Sequence, residues 1–246
     1  QDQARRNEKA AALGVLVSGV AHELNNPLSN ISTSAQLMLE EGDSGDAELK
    51  KLWLTQIDSE TERARRIVRR LLDSVRQPKL HRHRMPLSDL VQSSLELVNR
   101  QLPRDVQVCV GDAASIEIEV DRERLHQVFI NLIKNAADAG AQRITVAAQL
   151  RAWDADAAEA GLLVGDPAMV IDSSEAICIT IEDDGPGIPD ALRDHIFDPF
   201  ITTRTGGEGT GLGLYLVEEI VSEHRGCIVL ESTPGRGTRF SIWLPR

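Results

Sequence analysis

The chain has 246 residues, 41% hydrophobic and 26% charged, the proportions of an ordinary folded protein with room for one large or two modest domains. Its net charge of −11 argues against general nucleic-acid binding, which needs a basic footprint. No apolar run approaches the ~18 residues needed to cross a bilayer, and no signal-peptide pattern is present, so a cytoplasmic location and no membrane contact are expected. The best apolar stretch, residues 10–20, is short and broken by Ser18 and Gly19. Gln1 in place of an initiating methionine suggests an excised fragment with upstream sequence missing.

Two long helical patterns come first. Leu13, Val17, Val20, Leu24, Leu28, Ile31, Ala35 and Met38 recur at alternating steps of three and four, the seam of a coiled-coil-like helix pair. The spacing predicts a helix over about 7–41, some 50 Å long. Pro27 removes one backbone donor inside it, so a kink is expected just after His22. Residues 42–46 read as a turn, with Asp46 placed to cap the next helix. That second helix carries Leu49, Trp53, Ile57, Ala64, Ile67, Leu71 and Val75 on one face and ends before Pro78. A two-helix hairpin cannot bury such a stripe alone, so a homodimeric four-helix bundle is expected. Arg63, Arg65, Arg66, Arg69 and Arg70 read as a solvated face. The expected division is a hairpin over 1–77, a basic linker over 78–84 and a second domain over 85–246.

In that second domain the pattern predicts helices over 87–101, 122–139 and 212–224. Strands are expected over 106–110, 116–120, 143–150, 176–182, 227–232 and 238–244. Residues 152–174 show no period and read as an inserted loop. Residues 186–209, with four glycines and three prolines, read as a mobile lid. Cys109, Cys178 and Cys227 all fall in strand-like runs and read as buried, reduced thiols. The alternation of elements gives an α/β sandwich, a mixed sheet with helices on one face.

Several residues carry chemistry. His22 and Asn26 share a helical face, and Glu23 can reach one imidazole nitrogen, leaving the other as a nucleophile. Asp183 ends a strand; a carboxylate there can accept from an exocyclic amine, while Gly185 and Gly187 let the backbone approach a flat ring. Asn131 and Asn135 lie one turn apart, and oxygen ligands on a helix suit a magnesium ion that bridges phosphates. Gly209-Thr210-Gly211-Leu212-Gly213-Leu214 leads into a helix whose N-terminal amides favour phosphate. It is not a Walker motif, because no Gly-Lys-Ser/Thr follows.

In chain order the segments Gly19 to Leu28, Asn131 to Asn135, Asp183 to Gly187, Phe197 to Phe200 and Gly209 to Leu214 resemble the H, N, G1, F and G2 boxes of the two-component sensor histidine kinases. The resemblance covers nearly the whole chain. It implies a dimerisation and histidine-phosphotransfer hairpin followed by an ATP-binding domain of the gyrase and chaperone (GHKL, or Bergerat) type. His22 then becomes the phospho-acceptor and Glu23 its orienting or deprotonating partner. Asn26 matches the position that directs water onto a partner's phosphoaspartate. Asp183 would read the adenine amino group, Asn135 would hold Mg²⁺ of an ATP complex and Asn131 would support it. Thr202, Thr203 and Arg204 would lie on the lid, with Arg204 near the γ-phosphate, and Phe197 and Phe200 would anchor that lid by packing. The implied partners are a second copy of the chain and a response-regulator receiver domain. A nucleotide-binding scaffold or phosphatase without autokinase activity is the alternative.

Overall fold

Alternation and helical periodicity both reach the three-dimensional structure largely intact. The computed structural model describes residues 24–42, 46–75, 80–99, 102–113, 116–153, 155–172, 175–202 and 211–246. These fall into two compact units, one holding the N-terminal helices and the other built from residues 79–201 and 211–246. The kink expected after His22 lies outside the described residues.

The first unit is a hairpin of α1, described over residues 24–41, and α2, Ala47–Val75. Gly42 adopts φ +62° just past α1, the left-handed turn that ends many helices. Asp46 caps α2 as expected: its Oδ1 accepts from the Glu48 N–H at 2.9 Å and its carbonyl from the Lys50 N–H at 3.0 Å. Leu24, Ile31, Ala35 and Met38 on α1, with Trp53, Ile57, Ala64 and Ile67 on α2, are shielded to differing degrees. Two residues of the expected stripe depart from it. Leu28 is 52% exposed and Leu49 41%, while Pro27 and Ser34 are buried instead. A single hairpin covers only the part of the stripe that faces its partner helix. Asn30 Nδ2 ties the helices together by donating to Glu60 Oε1 at 3.1 Å.

The second unit opens with β1, His83–Pro86, whose first two residues fall in the stretch read as linker. It pairs antiparallel with β3, Glu117–Val120, which buries Ile118 and Val120. Between them lie α3, Leu87–Asn99, and β2, Gln107–Ala113. There follow α4, Arg122–Asp138; β4, Arg143–Arg151; β6, Ala176–Asp183; α7, Asp190–Arg193; α8, Gly213–Glu223; β7, Cys227–Thr233; and β8, Gly237–Pro245. The segment 152–174 corrects the loop reading. It folds as α5, Ala155–Ala160, β5, Leu162–Gly165, and α6, Ala168–Ile171.

The six-stranded sheet runs β2-β4-β6-β8-β7-β5; β2 and β4 are parallel and every other pair is antiparallel. Along β6, Ile177, Ile179 and Ile181 join the large core with Leu125, Phe129 and Leu132 of α4 and Val217 and Ile220 of α8. Ala176 and Cys178 point the other way, as the two-residue period requires. With Val170, Cys227, Val229 and Trp243 they build a second, smaller core, against which Trp153 and Ala158 pack. The large helices therefore lie on one face, as expected, and the insertion covers part of the other. Trp153 meets Trp243 edge-on with centroids 5.1 Å apart. Cys109 is exposed on the edge strand β2, contrary to the buried reading, whereas Cys178 and Cys227 are buried. Among the described residues no helix is long and apolar enough to cross a membrane.

Candidate functional site

The site is built where the C-terminal half of α4 meets the start of α8. α4 is amphipathic and buries Leu125, Val128, Phe129, Leu132, Ile133 and Ala136, which leaves Asn131 and Asn135 half-buried at its flank. Asn131 Nδ2 donates to the Gly213 carbonyl at 3.3 Å, tying α4 to the first residue of α8. A Cβ placed on Gly213 would come 3.6 Å from Asn135 Nδ2 and 3.8 Å from its Oδ1. The Asn135 amide makes no hydrogen bond to another described residue. Lys134, between the two asparagines, is exposed.

Leu212 precedes α8 as its N-cap but offers no side-chain oxygen, and its own side chain is buried. The first-turn N–H groups of α8 thus receive no side-chain cap from it, which suits an anion. Gly211 stands at φ +61°, and a Cβ there would collide with the Phe200 carbonyl carbon. Phe200, itself at φ +69°, donates its N–H to the Gly211 carbonyl at 3.0 Å. Phe197 is buried and packs edge-to-face on Phe240 at 6.4 Å. The phenylalanine segment is accordingly fastened both to the core and to the glycine turn. Thr202 is exposed. His22, Glu23, Thr203, Arg204, Gly209 and Thr210 lie outside the described residues, as does most of the glycine-rich half of the expected lid. Asn26 is exposed on α1.

Asp183 and Asp184 are adjacent, yet their environments drive them apart. Asp183 is half-buried at the end of β6; burial pushes its carboxyl above the usual range, opposed by hydrogen bonds from the Gly185 and Thr238 backbone. The Gly185 N–H donates to its Oδ1 at 2.8 Å. Asp184 is exposed, and its Oδ1 accepts from the Arg143 and Gln142 N–H groups, each at 2.8 Å, which holds its carboxyl below the usual range. Asp184 is therefore a brace joining the loop after α4 to the end of β6, a role the sequence reading missed. An Asp-Asp pair where a strand ends was its only signal.

The two glycines that follow have first tasks within the protein. A Cβ at Gly185 would sit 2.8 Å from Asp183 Oδ1 and 3.5 Å from Ala141 Cβ, displacing the carboxylate. Gly187 stands at φ +72°, where a Cβ would collide with the Thr233 carbonyl oxygen. The same loop is pinned to the β7–β8 hairpin by Gly235 N–H to Pro186 C=O, 2.7 Å, and Ile188 N–H to Ser232 Oγ, 2.9 Å. Ala141 links this corner to α4 by donating to the Ala136 carbonyl at 3.1 Å. The two amides are thus tied to the start of α8, and the carboxylate corner at the end of β6 to the residues that follow α4.

Known proteins resemble this chain along nearly its whole length. Residues 120–246 match the family described as histidine kinase-, DNA gyrase B- and HSP90-like ATPase, and residues 12–78 match the His Kinase A (phospho-acceptor) domain. Sensor histidine kinase ZraS of Escherichia coli (strain K12) is 35% identical over 100% of this chain and 48% of its own length. Signal transduction histidine-protein kinase AtoS of the same strain is 34% identical over 97% of this chain and 36% of its own length. The chain spans about half the length of the curated ZraS relatives it matches. A solved structure, histidine kinase ThkA in complex with response regulator protein TrrA, aligns with a TM-score of 0.71 at 25% identity, covering 99% of this chain and 65% of that one.

Proposed function

Because the chain belongs to the sensor histidine kinases of two-component systems, we propose that it is an ATP-dependent autokinase core that phosphorylates its own His22. The observation that carries this reading is the junction of Asn131, Asn135 and the start of α8, on the helix whose C-terminal end is linked through Ala141 to the Asp183–Gly185 corner. Asp183 accepts from the adenine amino group, and the N–H groups of α8 receive phosphate oxygens. The residues present fit Mg²⁺. Asn135 offers a neutral amide oxygen with no other described partner, and among the described residues no cluster of His, Cys, Asp and Glu forms a cage that would bind a metal alone. A cation held by one amide relies on phosphate oxygens and water for its remaining ligands, which is how magnesium accompanies a nucleotide. When bound it supplies charge neutralisation for phosphoryl transfer.

One imidazole nitrogen of His22 then forms the N–P bond as the bond to the bridging oxygen breaks and ADP departs. Glu23 orients the ring or takes its proton. The phosphoryl group passes on to an aspartate of a response-regulator receiver domain. The ThkA structure is a complex of that kinase with a response regulator protein. In this reading Asn26 directs water onto that phosphoaspartate, a second, phosphatase activity, which its exposure on α1 supports. Exposed Leu28 and Leu39 on α1, and Leu49 and Leu52 one turn apart on α2, support a homodimer that covers them in a four-helix bundle. An upstream sensor region and a cytoplasmic location for this core belong to the same proposal.

The test is incubation with γ-labelled ATP. Acid-labile, base-stable label in the parent chain and none in His22→Gln, with ADP affinity unchanged, is the expected result. Label that survives in His22→Gln removes the acceptor assignment.

A further inference from the structure

The ends of α4 and α8 remote from the nucleotide junction carry a second polar cluster. The two helices run antiparallel: Asn131 meets Gly213 at one end, and Arg124 meets Glu223 at the other. Arg124 Nε and Nη2 both donate to Glu223 Oε2, at 3.2 and 2.7 Å. Beside them His224 is only 4% exposed. Its Nδ1–H donates to the Ile220 carbonyl at 2.7 Å, and its Nε2 accepts the Asp121 backbone N–H at 3.1 Å. Those two bonds set a neutral ring with its proton on Nδ1.

Asp121 caps α4 and engages both carboxylate oxygens. Oδ1 accepts from the Arg124 N–H at 3.2 Å, and Oδ2 accepts from the His81 N–H at 2.9 Å. Arg82 Nη2 in turn donates to the Glu223 carbonyl at 3.1 Å. His81 and Arg82 precede β1 and lie in the stretch through which the chain enters this unit. They are therefore fastened to both helices that build the nucleotide junction, which lies about 15–20 Å away along α4 at the usual helical rise.

We propose that Asp121 and His224 are positioning residues, through which the placement of residues 81 and 82 is carried along α4 and α8 to the nucleotide end of the pair. The inference rests on reading that end as the ATP site. A packed helix pair moves as a rod, so the contacts at one end set the register at the other. The remote end is the firmer anchor. It is held by the Arg124–Glu223 fork and a buried imidazole with both nitrogens committed, against a single 3.3 Å bond between Asn131 and Gly213.

Protonation of His224 would remove the acceptor for the Asp121 N–H. The groups facing the ring are Arg82 from the entering segment, Asp121 from the α4 cap and Glu223 from its own helix, with Arg124 paired to Glu223. Burial, and next the Arg82 charge, hold the imidazole below its ordinary range, opposed by the Ile220 carbonyl, Asp121 and Glu223.

The test measures binding of ADP with magnesium to the whole chain by calorimetry, at neutral and at acid pH, for the parent, His224→Leu, His224→Gln and Asp121→Asn. Leucine removes the acceptor, glutamine restores one through Oε1, and asparagine in place of Asp121 offers a single oxygen to two donors. We expect His224→Leu and Asp121→Asn to bind about fivefold more weakly, the equilibrium worth of one net hydrogen bond, with His224→Gln within about twofold of the parent. Acidification should weaken the parent more than His224→Gln. Where the leucine variant does not fold, Asp121→Asn and the pH comparison with His224→Gln decide. Unchanged affinity in the folded variants, with only a lowered melting temperature, overturns the positioning role and leaves the ATP site standing. A parent chain that binds no ADP overturns the reading of the site itself.

Discussion

Replacing Asp183 with asparagine separates recognition from stability. The carboxylate is the proposed acceptor for the adenine amino group, and it is half-buried at the end of β6. A hydrogen bond to a charged acceptor contributes ~1.5–3 kcal/mol, so about 2 kcal/mol for this site, or near thirtyfold in ADP affinity. The fold should lose little. Burial raises the Asp183 carboxyl above the usual range, so the ionised form opposes folding at neutral pH. Such a group lends stability only while protonated, below its unfolded value, and that contribution is gone once pH rises through the folded value. Asparagine removes this cost but leaves one oxygen for the Gly185 and Thr238 N–H groups, and the two effects oppose each other to within about 1 kcal/mol. Calorimetry with ADP and IDP at neutral pH is the assay. The parent should prefer ADP, and the variant should lose that preference, because its amide can donate to the hypoxanthine carbonyl. Parent affinity should also fall with acidification through the raised range, while the variant stays flat. Equal ADP affinity in parent and variant, or an unaltered ADP-to-IDP ratio, refutes the assignment.

Asn135→Ala removes no described hydrogen bond, so its melt should stay within about 0.5 kcal/mol of the parent while magnesium-dependent autophosphorylation collapses; a comparable loss of both points to a structural amide. Gly187→Ala forces a Cβ into the Thr233 carbonyl at φ +72° and should cost at least about 2 kcal/mol in denaturant unfolding; a cost near zero contradicts the described loop. The proposed two-fold bundle would bury Leu52, 60% exposed in the hairpin, twice, so Leu52→Asp should weaken dimerisation by at least about 3 kcal/mol, seen by light scattering. A parent that is monomeric at micromolar concentration refutes the dimer for this chain. Asn26→Ala should slow dephosphorylation of the partner while His22 still accepts phosphoryl; equal losses in both activities assign Asn26 to the helix alone.

Long periodic elements were legible from the residues, because periodicity is a local property that tertiary packing here reinforces. α2, α4 and every strand of the large sheet except β5 were foreseen to within a few residues. β1 was not, since His83-Arg84-Met85-Pro86 is half charged or imidazole, ends in proline and owes its extension to β3, more than thirty residues away. The insertion was missed for a similar reason. Its elements span four to six residues, too few for a period, and are stabilised by Trp243 and Val229 on the far face of the sheet. At the site, residue types and order pointed to Asp183, Asn131 and Asn135. Motif reading assigned Gly185 and Gly187 to ligand approach, whereas the space each leaves is filled by Asp183 and by the Thr233 carbonyl. The Asp121–His224 contact joins residues 103 positions apart and left no pattern to find.

The second core also governs thiol chemistry. Cys178 and Cys227 flank Trp243 across three neighbouring strands, sealed beneath the inserted segment. Burial pushes the Cys227 thiol up to about 12, which leaves a thiolate fraction on the order of 10⁻⁵ at pH 7. Cys109, exposed on the outer strand of the opposite sheet edge, has no such shelter. The folded chain therefore presents a single addressable sulfur. A maleimide dye should attach once, on β2, and a second equivalent should enter only as the cover over Trp243 opens, making label stoichiometry a direct gauge of that local unfolding.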